Sequence, residues 1–420
     1  MIPARRLSDV EAAFFYLHRE CNGSTQVVTR VSMPGRWSVD TVRARLRHWA
    51  GSHPLLIAQV TERDATLWFD YDAPAGAPAR VVTARDDFDP VAQLGIELNA
   101  PLAAPNALWR LSAHLQPHAM ELYLTRNHVI SDAYTTRLLV DSLIETVTGA
   151  TPHRLRAEPL LTDRNDQPYL PPPAAAGNGD DIAVTLQPFM RQAPMHMRHT
   201  ELLSRAVTPS QSAQLKAFCK ANGLTVNQLF ATLMMQAYAA VGQERRLNFY
   251  TAANTRGRYD HPLVARGLGC NIAVVKTPMV VEPDALLATA RTYCESLRRE
   301  DARWAPQRIE HAALLRNVKA LAGASAFAGI CLTNSGEVDP AAHLRPHASL
   351  VQTVVNRSVA NYAMVLHLSS FGGAFHLNFT YAVPAMSSEF SRAVVEQLLK
   401  RLDQTTLQHR AAIRLPTFTN

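Results

Sequence analysis

Near its middle the chain changes character. Residues 157–182 carry Pro171-Pro172-Pro173, three consecutive alanines and Gly177-Asn178-Gly179-Asp180-Asp181, a composition that joins folded units rather than forming one. On both sides of this break, strand-like and helix-like segments alternate. That pattern points to a mixed α/β fold. With 420 residues the chain exceeds the size at which a single hydrophobic core stops growing, so two units are expected. They read as an N-terminal unit over 1–160, a linker over 161–185 and a C-terminal unit over 186–420.

The first half opens with a helix over 8–20, where Ser8 and Glu11 form a capping box. A strand over 26–33 follows, then a helix over 38–52 with Val42, Leu46 and Trp49 on one face. His53-Pro54 ends that helix, because a residue before proline is pushed out of helical geometry. Residues 55–60 and 66–71 are strand-like, and 101–105 form a loop. Two alternating strands, 108–115 and 120–125, precede an amphipathic helix over 133–148 that Gly149 stops.

The second half reads as a strand over 199–206 and a helix over 210–221. A longer helix capped by Thr225 ends near Val241. Strands over 246–253 and 268–280 and a helix over 284–299 follow. A short buried strand over 330–332 ends in Thr333-Asn334-Ser335-Gly336. Strands over 363–369 and 375–381 form a hairpin around Gly372-Gly373, and the last helix covers 388–402.

The segment with most chemical content lies between the second alternating strand and its amphipathic helix: Arg126-Asn127-His128-Val129-Ile130-Ser131-Asp132-Ala133. A strand-end loop is where a scaffold presents reactive groups. This run resembles the HHxxxDG motif of the chloramphenicol-acetyltransferase-like superfamily. That group includes condensation domains, polyketide-associated acyltransferases and plant BAHD acyltransferases. The second His (His128) and the Asp (Asp132) are kept. The first His is Asn127 and the Gly is Ala133.

Further elements resemble the family in order and spacing: Leu7-Ser8 opening a helix, His53-Pro54-Leu55-Leu56, Leu108-Trp109-Arg110-Leu111 and Leu224-Thr225-Val226-Asn227-Gln228-Leu229. Asn254-Thr255-Arg256-Gly257-Arg258, Gly269-Cys270-Asn271 and Leu332-Thr333-Asn334-Ser335-Gly336 continue the series. The resemblance implies two subdomains in a V-shaped pseudo-dimer with a central channel. It implies acyl transfer from a thioester, on coenzyme A or a carrier protein's phosphopantetheine arm, to an alcohol or amine. No cofactor is bound in such a reaction; the thioester is a substrate.

His128 is then the general base. An imidazole, with an unperturbed pKa of ~6.5, accepts the acceptor's proton as the new bond forms, a contribution of typically ~10²–10⁴-fold. The resemblance makes Asp132 structural, paired with Arg256; direct bonding to His128 is the other reading of a carboxylate in this position. Asn127 holds the loop by hydrogen bonds or marks a catalytically degenerate member that only binds carrier-tethered intermediates. Ala133 narrows the acceptor route. Asn271 and Asn334 lie on segments the family places near the site, as oxyanion or substrate contacts. Hydrolysis by the same base is a third possibility.

Composition sets the remaining bounds. The net charge of +7 is built almost wholly from arginine, with five lysines among 42 basic residues, and a basic surface attracts an acidic partner. No Lys/Arg run marks nucleic-acid binding, and no apolar stretch is long enough to span a membrane. Cys21, Cys219, Cys270, Cys294 and Cys331 are odd in number and widely spaced, which argues for reduced thiols in a cytoplasmic protein. His196 and His199 have HxxH spacing, but on a strand they would face opposite sides, so no metal site is expected. A monomer is expected.

Overall fold

The structure is a computed structural model that describes residues 2–71, 79–102, 107–149, 190–259, 267–303, 305, 309–323 and 329–414. The expected linker over 161–185 lies outside the described residues.

In the first lobe, β1 (Arg5–Arg6) leads into α1 (Asp9–Glu20), whose capping box forms as expected: Ser8 Oγ accepts from Glu11 N–H, and the Glu11 carboxylate accepts from Ser8 N–H. Arg5 holds that carboxylate from the other side with two bonds of 2.7 and 2.9 Å. After β2 (Val27–Pro34) comes α2 (Val39–Ala50), with Val42, Leu46 and Trp49 fully buried. Residues 55–57, expected as the start of a strand, are helical: His53 N-caps a short helix, α3 (Pro54–Ile57), through Nδ1, with proline at the first helical position where its missing N–H costs nothing.

Next come β3 (Gln59–Arg63), β4 (Thr66–Asp70), β5 (Ala79–Thr83) and α4 (Pro90–Asn99), then β6 (Trp109–Leu115), β7 (Ala119–Arg126) and α5 (Ala133–Thr148). Gly149 ends α5 at φ +81°, a conformation that favours glycine.

The second half of the chain holds β8 (His199–Val207), α6 (Pro209–Ala221), α7 (Val226–Gly242), β9 (Arg246–Asn254), β10 (Ile272–Val280), α8 (Leu286–Arg303) and α9 (His311–Gly323). β11 (Ile330–Glu337), β12 (Leu350–Val355), β13 (Val365–Phe371), β14 (Ala374–Val383) and α10 (Ser388–Arg414) complete it. β11 does not stop at Leu332: it runs through Asn334, with a register shift against β13 between Asn334 and Glu337. His196 sits in a short 3-10 turn rather than on the strand that His199 begins.

Two larger sheets organise these elements. One has the order β12-β2-β7-β6-β5, the other β10-β9-β11-β13-β14-β8, and a small β1-β4-β3 sheet flanks the first. Each large sheet has its own apolar core. The cores do not follow the sequence halves. β12, from the second half, is an edge strand of the first lobe's sheet, antiparallel to β2, and Leu314 and Val318 of α9 join the first core. The chain therefore ties the lobes together twice. Where β11 starts, Gly329 lies so close to β9 that a Cβ would stand 2.0 Å from the Asn248 carbonyl oxygen.

The five cysteines are free thiols, buried except for the half-buried Cys294. No described helix is long and apolar enough to cross a membrane.

Candidate functional site

β7 is buried along seven of its eight positions and delivers the motif from the middle of the first sheet. Its last residue, Arg126, is fully buried and has no carboxylate bonded to it among the described residues. Nε donates to Ser131 Oγ (2.5 Å), Nη1 to Thr29 Oγ1 (2.9 Å) and Nη2 to Thr136 Oγ1 (2.5 Å). Burial pulls its pKa down to about 9. The guanidinium thus sits beneath the loop and knits β2, the loop and α5 together.

The chain then makes one 3-10 turn over His128–Ile130. Asn127 caps it: Oδ1 accepts from Val129 N–H at 3.0 Å, while Asn127 N–H donates to Leu108 O. A half-buried His128 follows. Its ring stacks on Phe14 of α1, with centroids 4.4 Å apart and planes 15° from parallel. Burial pushes its pKa down to about 4, with Asp132 opposing the shift and the charges of Arg126 and Arg357 adding to it. Cys270 Sγ lies 3.4 Å from Nδ1. Nε2 has no hydrogen-bond partner among the described residues and is the nitrogen left for a substrate.

Asp132 does not bond His128 among the bonds of the described residues. It N-caps α5 by accepting from Thr135 N–H (3.0 Å) and takes two bonds from Arg256, Nη1 to Oδ2 at 2.5 Å and Nη2 to Oδ1 at 3.1 Å. The Asn271 N–H also donates to Oδ2, at 2.8 Å. Arg256 is 4% exposed, donates through Nε to Gly267 O, and lies 4.5 Å from the Tyr134 ring. A buried, bidentate ion pair thus crosses between lobes and fixes the start of α5. Thr135 adds a second tie, donating to Gly269 O and accepting from Gly269 N–H.

These elements surround about 630 Å³ of unfilled space, partly open to solvent. The first lobe lines it with His128, Ser131, Ala133, Thr136 and Arg137; the second lobe contributes Thr333, Ser335, Val338 and His367, and β12 adds Val351, Thr353 and Val355. His367 Nε2 lies 2.9 Å from Thr380 Oγ1, and burial pushes its pKa far down. Ala133, exposed at the first position of α5, sits on the wall where a glycine would leave more room.

Asn271 and Asn334 are not among the lining residues. Asn271 spends its backbone on Asp132 and Thr255, and its side chain reaches Gly267 O. Asn334 Oδ1 accepts from Gly336 N–H inside the β11 irregularity, while its neighbours Thr333 and Ser335 face the cavity. Strand alternation explains this: in β11, positions 333 and 335 share a face that 334 does not. Phe14, Arg126, Cys270 and His367 were not singled out from sequence as site residues. Phe14 and His367 sit in segments that look like ordinary core.

No family model and no curated protein sequence matches the chain. Solved structures do. The condensation domain of the monacolin K polyketide synthase MokA superposes with TM-score 0.67 at 12% identity, covering 96% of this chain and 98% of its own. The trichothecene 15-O-acetyltransferase TRI3 of Fusarium sporotrichioides gives 0.66 at 12% identity, with 94% of each chain covered. The epimerization domain TycB3(E), from the third module of tyrocidine synthetase B, gives 0.64 at 12% identity and 97% of each. The same architecture thus serves differently described reactions, and likeness at this identity concerns architecture alone. The chain has the mixed α/β fold shared by condensation domains and chloramphenicol-acetyltransferase-like acyltransferases.

Proposed function

We propose that this protein transfers an acyl group from a coenzyme A or carrier-protein thioester to a hydroxyl or amine acceptor, with His128 as general base. The observation that carries the reading is the placement of one ring: His128 stacks on Phe14, has Nδ1 beside Cys270 Sγ, and sits at the wall of a cavity lined from both lobes, where burial lowers its pKa. Nε2 takes the acceptor proton as oxygen or nitrogen bonds to the thioester carbonyl carbon. The tetrahedral oxyanion collapses, the C–S bond breaks, and the proton passes from Nε2 to the departing thiolate. No covalent enzyme intermediate forms.

Hydroxyls of Ser131, Thr333, Ser335 and Thr353 are the cavity groups suited to the oxyanion. Asp132 and Arg256 position the loop and stay out of proton transfer. Arg137, exposed at the cavity, and the net charge of +7 support an anionic donor such as coenzyme A or an acidic carrier protein.

A second reading rests on Asn127 and Ala133: a degenerate protein that binds carrier-tethered intermediates without turning them over. The test is to mix the protein with acyl-pantetheine thioesters, free or on a carrier protein, and a panel of alcohols and amines, then identify products by mass spectrometry. Ester or amide is expected. Free acid alone replaces the proposal with hydrolysis, and binding without product replaces it with the degenerate reading.

A further inference from the structure

Beyond β12 the chain turns tightly over residues 356–362, and the backbone of this turn is fixed from several sides. Asn356 Nδ2 donates to Leu98 O (2.8 Å) and its Oδ1 accepts from Ser358 N–H (2.9 Å). Arg357 N–H donates to Thr200 Oγ1 (2.7 Å), and Arg198 Nη1 donates to Val359 O (2.9 Å). Ala360 takes a left-handed φ of +53° to close the turn.

The side chain carried by this rigid turn is unmatched. Arg357 is 9% exposed, and its Nε is buried without a hydrogen-bond partner. No acceptor or carboxylate engages its guanidinium among the described residues; the ring of Tyr362 lies 5.7 Å away. The other buried arginines of the region differ. Arg256 has Asp132, and Arg126 has three hydroxyls.

The groups whose titration Arg357 shares are neutral. Burial pushes the Cys331 thiol up to about 12, pushes the Tyr362 phenol up as well, and pushes the imidazoles of His128 and His367 down. Arg357 stands just behind the cavity wall: Val355, two residues before it, lines the cavity, as do His128 and His367, whose imidazoles its charge helps to keep neutral. An unpaired buried cation is strongly unfavourable, and a guanidinium does not escape by losing its proton at neutral pH. A pre-placed cation without a protein partner is suited to an anion that arrives with substrate.

We propose that Arg357 receives a carboxylate borne by one of the two substrates, the acyl group or the acceptor, at the inner side of the His128 cavity. This rests on the transfer reading for what the cavity holds. A planar carboxylate fits the guanidinium fork with two parallel bonds. The phosphates of a pantetheine donor lie a long arm away from the thioester, so an anion this near the base belongs to the acyl group or to the acceptor.

The test is calorimetric binding at pH 7 to wild type, Arg357→Gln and Arg357→Met. Succinyl- and butyryl-S-N-acetylcysteamine probe the acyl side; 3-hydroxybutyrate and its methyl ester probe the acceptor side. In wild type the charged member of one pair binds about 10–100-fold tighter, as a charge-assisted bond to a buried guanidinium implies. Both variants lose that preference and keep affinity for the neutral member, and the pair affected identifies which substrate carries the acid. Unliganded Arg357→Met melts no lower than wild type, since it removes an unpaired charge. Equal affinities within both pairs, a preference that survives both substitutions, or a lower melting temperature for Arg357→Met overturns the proposal. Charge-selective binding without any product leaves it standing and removes the transfer reading. Product formation without charge selectivity removes this proposal alone.

Discussion

The two lobes meet the cavity with opposite polar economies. On the first lobe's side, the polar side chains around the motif are engaged: Asn127 caps its turn, Ser131 and Thr136 hold Arg126, and Asp132 is taken by Arg256, Thr135 and Asn271. On the second lobe's side, hydroxyls and the His367 ring face open space, and Arg357 has no anion. The two sides divide the labour. The side that holds the base is locked, and part of the lock comes from the opposite lobe through Arg256, Gly269 and Asn271. The facing side is left for whatever fills the cavity. Preorganisation of a reactive group needs the first condition, and recognition needs the second.

Four measurements test this division between the two sides. The largest effect is expected from His128→Ala, which lowers the single-turnover transfer rate by ~10²–10⁴-fold while the melting temperature stays near that of wild type. A rate that barely changes would place the chemistry elsewhere on the cavity wall.

Next is the lock. Asp132→Ala or Arg256→Ala alone strands a buried charge and costs roughly 3–5 kcal/mol in urea unfolding. The double variant costs much less than the sum, because the two form one pair. Simple additivity would show that the lobes are not coupled there.

A third effect follows from the neutral imidazoles. Burial pushes His53, His128 and His311 down to about 4 and His367 well below its ordinary value. In the unfolded chain they titrate near ~6.5. Between those values the unfolded chain binds more protons, so stability is fully present above about pH 6.5 and declines steeply as the pH falls toward 4. Melting temperatures across that window check it, and a flat profile contradicts it. The smallest effect belongs to Asn127→Ala, which removes one cap from a three-residue turn and costs ~1 kcal/mol.

Much of the locked side was legible in sequence, because its cues are local. An alternating strand, a polar turn and an amphipathic helix stopped by glycine announce themselves by period and capping. Arg256 came from resemblance, and the structure places it 2.5 Å from Asp132.

The open side was less legible for a physical reason: its residues come together through topology. β12 joins the first sheet from more than 300 residues away, and nothing in Leu350–Val355 names β2 as its partner. Sequence does not announce α4, α9 or β5, and the apolar run after His53 reads as strand although proline at the first turn makes its start a helix. Resemblance points to Asn334, while Thr333 and Ser335 line the cavity, because strand phase near a bulge is not visible in sequence.

In the proposed transfer His128 presents a neutral ring with its free nitrogen toward the cavity. Histidine-selective ¹⁵N NMR from pH 6 to 8, with His128→Gln used for assignment, tests it directly. The account predicts one His128 ring state throughout, with Nδ1 protonated and Nε2 bare. An imidazolium below pH 7, or a proton resident on Nε2, would contradict it.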